Sequence, residues 1–139
     1  MIGCVADASA LLKLVIDEPD AALAVAYFAR EHPGAPGIAV AEVANVLRRL
    51  VKSRERSAAR ARESLDTIIA SISILPETDE ESNLTLDLAI SLDHSAQDCR
   101  YLAAAIAAKV PLVTADENFA RKARTAGHDA RIVSELPAR

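Results

Sequence analysis

The chain has 139 residues, of which 51% are hydrophobic, and a net charge of −4. Its size predicts one domain, residues 1–139, that buries about two thirds of the surface of the unfolded chain. The negative balance, the absence of Trp and a complement of only two Tyr and two Phe argue against a broad basic nucleic-acid surface or a binder built on stacked aromatics.

Residues 2–7 form an apolar run of strand length, followed by a helical pattern in Leu11, Leu12, Val15 and Ile16. Asp17 to Pro19 breaks that pattern, and a second helix is predicted from about residue 20 to 32. HPGAPG, residues 32–37, predicts a turn from its Pro and Gly content. Residues 38–40 are then expected to be a very short strand leading into a helix with Val43, Val46, Leu47 and Leu50 on one face. SRERS, residues 53–57, is a polar connection, and a helix is predicted over 58–70. Residues 71–75 alternate polar and apolar side chains, predicting a strand ended by Pro76. Thr78 with Glu81 fits a capping box opening a helix, in which Leu84, Leu88 and Leu92 recur at spacing four. Ser95 starts the next helix, through residue 109. A strand is predicted over 111–114, since Pro is tolerated at a strand's first residue. A helix over 117–126 stops at Gly127, and residues 131–133 form the last strand.

Short strands alternating with amphipathic helices imply βαβ crossovers and a mainly parallel sheet flanked by helices on both faces, an α/β fold. There is no internal repeat, low-complexity tract or linker. The longest apolar run, residues 102–108, is far short of the roughly 18 residues a membrane span needs. The N-terminus lacks a charged region followed by an apolar one, so the cytoplasm is the expected compartment and no membrane partner is expected. Cys4 and Cys99 lie far apart without a CxxC and read as buried thiols. His32, His94 and His128 are scattered, so no histidine is expected near the acids discussed next and no zinc site is predicted.

Four acids stand out. Asp7 and Asp116 each end a predicted strand, while Glu42 and Asp98 each lie near the start of a predicted helix. Each alone has a plain explanation: Asp7 and Asp116 as N-caps, Asp98 as the acid of an S-x-x-D box, Glu42 as a solvated residue favoured by the helix dipole. In an open parallel sheet, however, ligand sites form at the carboxyl ends of the strands. All four acids are therefore expected at one edge, where like charges require a cation. Oxygen-only ligands point to Mg²⁺ or Mn²⁺, ions suited to phosphodiester hydrolysis.

VADASALLK, AEVANVLRRL, SAQDCRYLAAA and PLVTADENF, in that order and across essentially the whole chain, resemble the PIN domain. More narrowly, they resemble the VapC-type ribonuclease toxins of bacterial toxin–antitoxin pairs. The resemblance implies a PIN-like three-layer sandwich, Mg²⁺- or Mn²⁺-dependent endonucleolytic cleavage of RNA, homodimerisation and neutralisation by a cognate DNA-binding antitoxin. It implies that Asp7, Glu42, Asp98 and Asp116 are the acidic catalytic and metal positions. Ser9 and Thr114 match the small hydroxyl residues beside the first and last acids. Asn118 falls where some members place a further polar or acidic ligand, and as an amide it is expected to orient a water or the substrate. Asn45 is expected to support the acids or orient substrate.

The segment from Arg48 to Arg62 carries seven Lys and Arg against Glu55 alone. Arg49 lies seven residues after Glu42, about two helical turns on, so Arg49 and Lys52 are the expected contacts for RNA phosphates. Two other acid-dependent classes fit less well. A receiver domain would place paired acids after the first strand and an Asp after a middle one. A haloacid-dehalogenase-like phosphatase would open with D-x-D, and D-A-S lacks the second acid. A non-catalytic PIN-like interaction protein is the remaining alternative.

Overall fold

The computed structural model describes residues 1–138. Five parallel strands, β1 (Cys4–Ala6), β2 (Pro33–Pro36), β3 (Ser73–Leu75), β4 (Leu112–Thr114) and β5 (Ala130–Ile132), form one sheet in the order β3-β2-β1-β4-β5. Val5 registers with Gly34 on one side and Leu112 on the other. Seven helices connect them: α1 (Ala8–Leu11), α2 (Ala21–Arg30), α3 (Ile38–Lys52), α4 (Ala58–Ser71), α5 (Asp79–Leu92), α6 (Ala96–Ala108) and α7 (Glu117–Thr125). This is the α/β architecture expected from the sequence, a parallel sheet flanked by helices.

Chain direction fixes the layers. From β1 the chain moves outward to β2 and β3, then returns past β1 to β4 and β5. Right-handed crossovers therefore put α1 to α4 on one face and α5 to α7 on the other. α3 packs on α1 and α4, α5 packs on α6, and α6 lies across β1, β2 and β4. Its buried residues (Cys99, Tyr101, Leu102, Ala103, Ala104 and Ala105) form much of the core of that layer. The small alanines let the helix approach the sheet closely, while Leu102 and Tyr101 supply large buried apolar area, each worth roughly 1.5–3 kcal/mol. The strand order reverses between β1 and β4, which opens a crevice at their carboxyl ends, the place where open parallel sheets bind ligands.

Two expectations are corrected. The HPGAPG segment is not a turn: Pro33–Pro36 is strand β2, and residues 38–40 open α3 instead of forming a strand. The prolines stand at the two ends of β2, and the middle positions are held by small residues because space is scarce. A Cβ on Gly34 would meet Ile2 Cδ1 at 2.9 Å and Leu75 Cδ2 at 3.1 Å. The helix predicted after Asp7 is also shorter: α1 has four residues and tightens into a 3₁₀ turn over Leu12–Leu14. At other boundaries the shifts are small. Ser71 ends α4 and β3 starts at Ser73. Thr78 and Ser95 cap α5 and α6 by accepting from the N–H groups of Glu81 and Asp98. Gly127 follows α7 with φ of 91°, which a side chain would strain. Both cysteines are buried thiols, and burial pushes the Cys4 thiol up to about 12. Among the described residues no helix is long and apolar enough to cross a membrane.

Candidate active site

Asp7 leaves β1 as the N-cap of α1. Its Oδ1 accepts from the Ala10 N–H at 3.0 Å and from the Ser9 hydroxyl at 2.6 Å. Its Oδ2 accepts from the Thr114 hydroxyl at 2.5 Å. Ser9 Oγ in turn accepts the Ala115 N–H at 2.9 Å, and Thr114 Oγ1 accepts the Asp116 N–H at 3.0 Å. Two hydroxyl relays thus bind the first acid to the turn that carries the last one, joining the carboxyl ends of β1 and β4. Asp7 is 6% exposed, and burial pushes its carboxyl up to about 6. The hydrogen bonds from Ser9, Thr114 and Ala10 oppose that rise, and the charge of Asp98 adds to it.

Asp116 caps α7, accepting from the Phe119 N–H at 3.1 Å, and its side chain is exposed. Asp98 lies in the first turn of α6, and its carboxylate turns away from the cap to meet His94 Nε2 at 2.8 Å. One ligand atom each from His94, Asp98 and Asp116 lie within 4.8 Å of one another. The expectation that no histidine stands near the acids is therefore corrected. Asp93 closes α5 in the left-handed conformation, and the chain turn brings His94 back over the start of α6. Its ring stacks on Phe119 with centroids 4.5 Å apart.

The ring's proton can be placed by its neighbours. Lys122 Nζ donates to the Asp93 carbonyl at 2.8 Å and lies 3.4 Å from His94 Nδ1. An ammonium only donates, so Nδ1 accepts and the ring N–H sits on Nε2, directed at Asp98. A metal-ligating histidine ordinarily turns its second nitrogen, as a donor, to a carboxylate or carbonyl. Here that nitrogen faces a cation, so His94 is arranged to hold Asp98 in place.

Glu42 lies in the second turn of α3 and is half-buried. Its Oε1 accepts from the Tyr101 hydroxyl at 2.6 Å. Burial raises its pKa, Tyr101 and Gln97 lower it by hydrogen bonding, and the Asp98 charge raises it. Tyr101 is 1% exposed, and burial followed by the Glu42 contact holds it well above the usual phenol range, so it remains a donor. Sequence reasoning missed His94 and Tyr101. Their spacing from Asp98, four residues before and three after, was the available signal.

Ser9 and Glu42 also line a cleft of about 330 Å³ shared with Asn45, Arg49 and Gln97. Lys52 lies instead in a groove between α3 and α4 with Arg48 and Arg62. Asn118 is exposed and lines a third depression, with Ser91, Arg121 and Lys122.

Among the described residues, no Lys or Arg forms an ion pair with Asp7, Glu42, Asp98 or Asp116. Asp98 and Asp116, brought together with His94 and carrying no Lys or Arg ion pair, suit a divalent ion, while Asp7 and Glu42 lie outside that 4.8 Å group. The sheet and this acid-rich carboxyl edge define a small α/β protein with a candidate divalent-metal site. The PIN domain family matches residues 4–125, and the chain belongs to it. PIN domains are generally nucleases that use divalent metal ions. The crystal structure of PAE2754 from Pyrobaculum aerophilum shares the fold, with a TM-score of 0.70 and 22% identity over 87% of this chain and 86% of that one. No curated protein matches the chain.

Proposed function

We propose that the protein is a Mg²⁺- or Mn²⁺-dependent endoribonuclease leaving 5′-phosphate and 3′-hydroxyl ends, and that it is the VapC-type toxin of a toxin–antitoxin pair. One observation carries the catalytic reading: ligand atoms of Asp98 and Asp116 come within 4.8 Å of each other, and among the described residues no Lys or Arg forms an ion pair with either. Asp7, Asp98 and Asp116 would hold the metal, with Glu42 as a further ligand or as proton acceptor. When bound, the ion supplies phosphate-charge neutralisation and a water of lowered pKa. The protein's own groups supply the order. Ser9 and Thr114 fix the Asp7 carboxylate, His94 fixes Asp98, and Tyr101 occupies Glu42 Oε1, leaving Oε2 to take the proton of an attacking water. Arg49 and Lys52 contact RNA phosphates, while Asn45 and Asn118 orient substrate or water. In-line attack by water uses no 2′-hydroxyl nucleophile.

The toxin role, a homodimeric state, a cognate DNA-binding antitoxin and action in the cytoplasm rest on the resemblance of the four motifs to VapC. The test is cleavage of total RNA with and without Mg²⁺, with end mapping and Asp7→Asn as control. Metal-dependent 5′-phosphate ends that vanish in the variant are expected. Ends bearing 2′,3′-cyclic phosphate, or equal activity in excess chelator, would overturn the mechanism. Growth arrest on expression, relieved by the small reading frame beside this gene, tests the pairing.

A further inference from the structure

The cleft beside the acids contains groups that metal chemistry does not require. We infer that it seats a single nucleobase next to the scissile phosphate and reads that base through the amides of Asn45 and Gln97. This assignment rests on the ribonuclease reading above.

Its position ties it to the reaction. Ser9, which bonds Asp7, and Glu42 both border it, so whatever enters lies against Glu42 and one hydroxyl away from Asp7. Asn45, Val46 and Arg49 follow Glu42 at spacings of three, four and seven along α3, one face of a rigid helix. The reading groups and one of the acids therefore share a scaffold, which keeps base and phosphate in register.

Its lining suits a base better than a second phosphate. The volume of about 330 Å³ lies at the lower end of small-ligand sites. Ala8, Leu12 and Val46 offer aliphatic walls to the faces of a ring, and Arg49 is the one cation in the lining. Among the described residues, Arg49 has no ion pair and Asn45 no side-chain hydrogen bond. Gln97, on α6, borders the same cleft as Glu42 and presents its exposed amide to a ligand. A carboxamide offers a donor and an acceptor side by side, the complement of the adenine amino group and its neighbouring ring nitrogen. Sequence-specific RNA recognition works on unstacked bases whose edges are open to such groups. Without an aromatic wall, discrimination rests on edge hydrogen bonds, so a preference of roughly 5- to 100-fold for adenine is expected. Arg49 is left for the adjoining phosphate.

The test is binding, separate from cleavage. Fluorescently labelled 2′-O-methyl, phosphorothioate-linked tetrauridine is titrated with wild-type protein in Ca²⁺. It is compared with versions carrying one adenosine, guanosine or cytidine at each position in turn. Adenosine at one position is expected to tighten binding by the factor above, and Asn45→Leu or Gln97→Leu to weaken the adenosine-containing oligonucleotide several-fold more than tetrauridine. Both side chains are exposed, so unchanged thermal midpoints accompany the result. Base-blind binding by wild type, or an Asn45→Leu loss equal for every oligonucleotide, would overturn the pocket. Failure to bind any oligonucleotide would overturn it together with the ribonuclease reading, a distinguishable outcome.

Discussion

Asp7 is both a helix cap and a member of the acidic site, because the geometry that directs Oδ1 at the Ala10 N–H leaves Oδ2 facing β4. The two roles separate by pH. Its folded pKa is raised to about 6 while the unfolded carboxyl keeps its ordinary value, so ionisation favours the unfolded chain. That penalty is absent where both states are protonated, grows as pH rises toward 6 and is constant above it. Metal-free Asp7→Asn is therefore expected to be more stable than wild type at pH 7.5, by on the order of 2 kcal/mol. The gap should narrow as pH falls toward 4. Thermal melts in chelator at several pH values measure this; a gap that widens toward acid would contradict the burial-raised carboxyl. Adding Mn²⁺ should stabilise wild type and leave the variant unmoved, since an ion that binds only the folded site adds stability. His94 offers a second test. His94→Phe keeps the ring against Phe119 and removes the N–H to Asp98, so Mn²⁺ affinity, followed by electron paramagnetic resonance, should fall roughly 10- to 100-fold. Unchanged affinity would mean that Asp98 needs no such support.

Strand β2 shows where local signals mislead at the scale of elements. Pro and Gly usually punctuate turns, but Gly34 is a strand residue because Ile2 and Leu75 crowd the space above it. Gly34→Ala is expected to cost about 1 kcal/mol by overpacking, the low end for such changes, because the atoms it meets are side-chain ends that can shift. Trimming the neighbour with Ile2→Val should restore part of the loss, with the coupling measured by denaturant unfolding of the double-mutant cycle. Additive losses would argue against the contact. The same contrast explains what was readable in advance. β1, β4 and α5 to α7 carry their own evidence in apolar runs, periodicity and caps, so Asp7, Asp98 and Asp116 could be placed at the carboxyl edge from sequence. Their partners could not. Tyr101 meets Glu42 only because α6 packs across the sheet toward α3, and His94 is oriented by Lys122 from α7. Those contacts depend on tertiary placement that local spacing does not encode. The crowding at Gly34 belongs to the same class, since neither Ile2 nor Leu75 is near it in sequence.

At the scale of the whole molecule, a net charge of −4 and an acidic edge oppose the approach of RNA, and the basic stretch of α3 and α4 must offset that repulsion. Its cations are not equivalent. Arg56 is committed internally, donating to the Val15 carbonyl at 2.9 Å and to Ser64 Oγ at 2.8 Å. Arg48, Lys52 and Arg62 line the groove between α3 and α4, whereas Arg49 lines the cleft that contains Glu42. A backbone crossing the acids would therefore meet Arg49 first. Each phosphate neutralised on a single strand contributes about 0.7 to the slope of log affinity against log salt. Arg49→Glu is expected to weaken RNA binding and to reduce that slope by about 1, through loss of one contact and added repulsion. Lys52→Glu, farther from the acids, should change both by less. Both side chains are exposed, so folding is not in question, and RNA titrations at a series of salt concentrations decide the matter. A slope preserved in Arg49→Glu would place the phosphate path away from the α3 cleft, and a larger effect from Lys52→Glu would move it to the groove between α3 and α4.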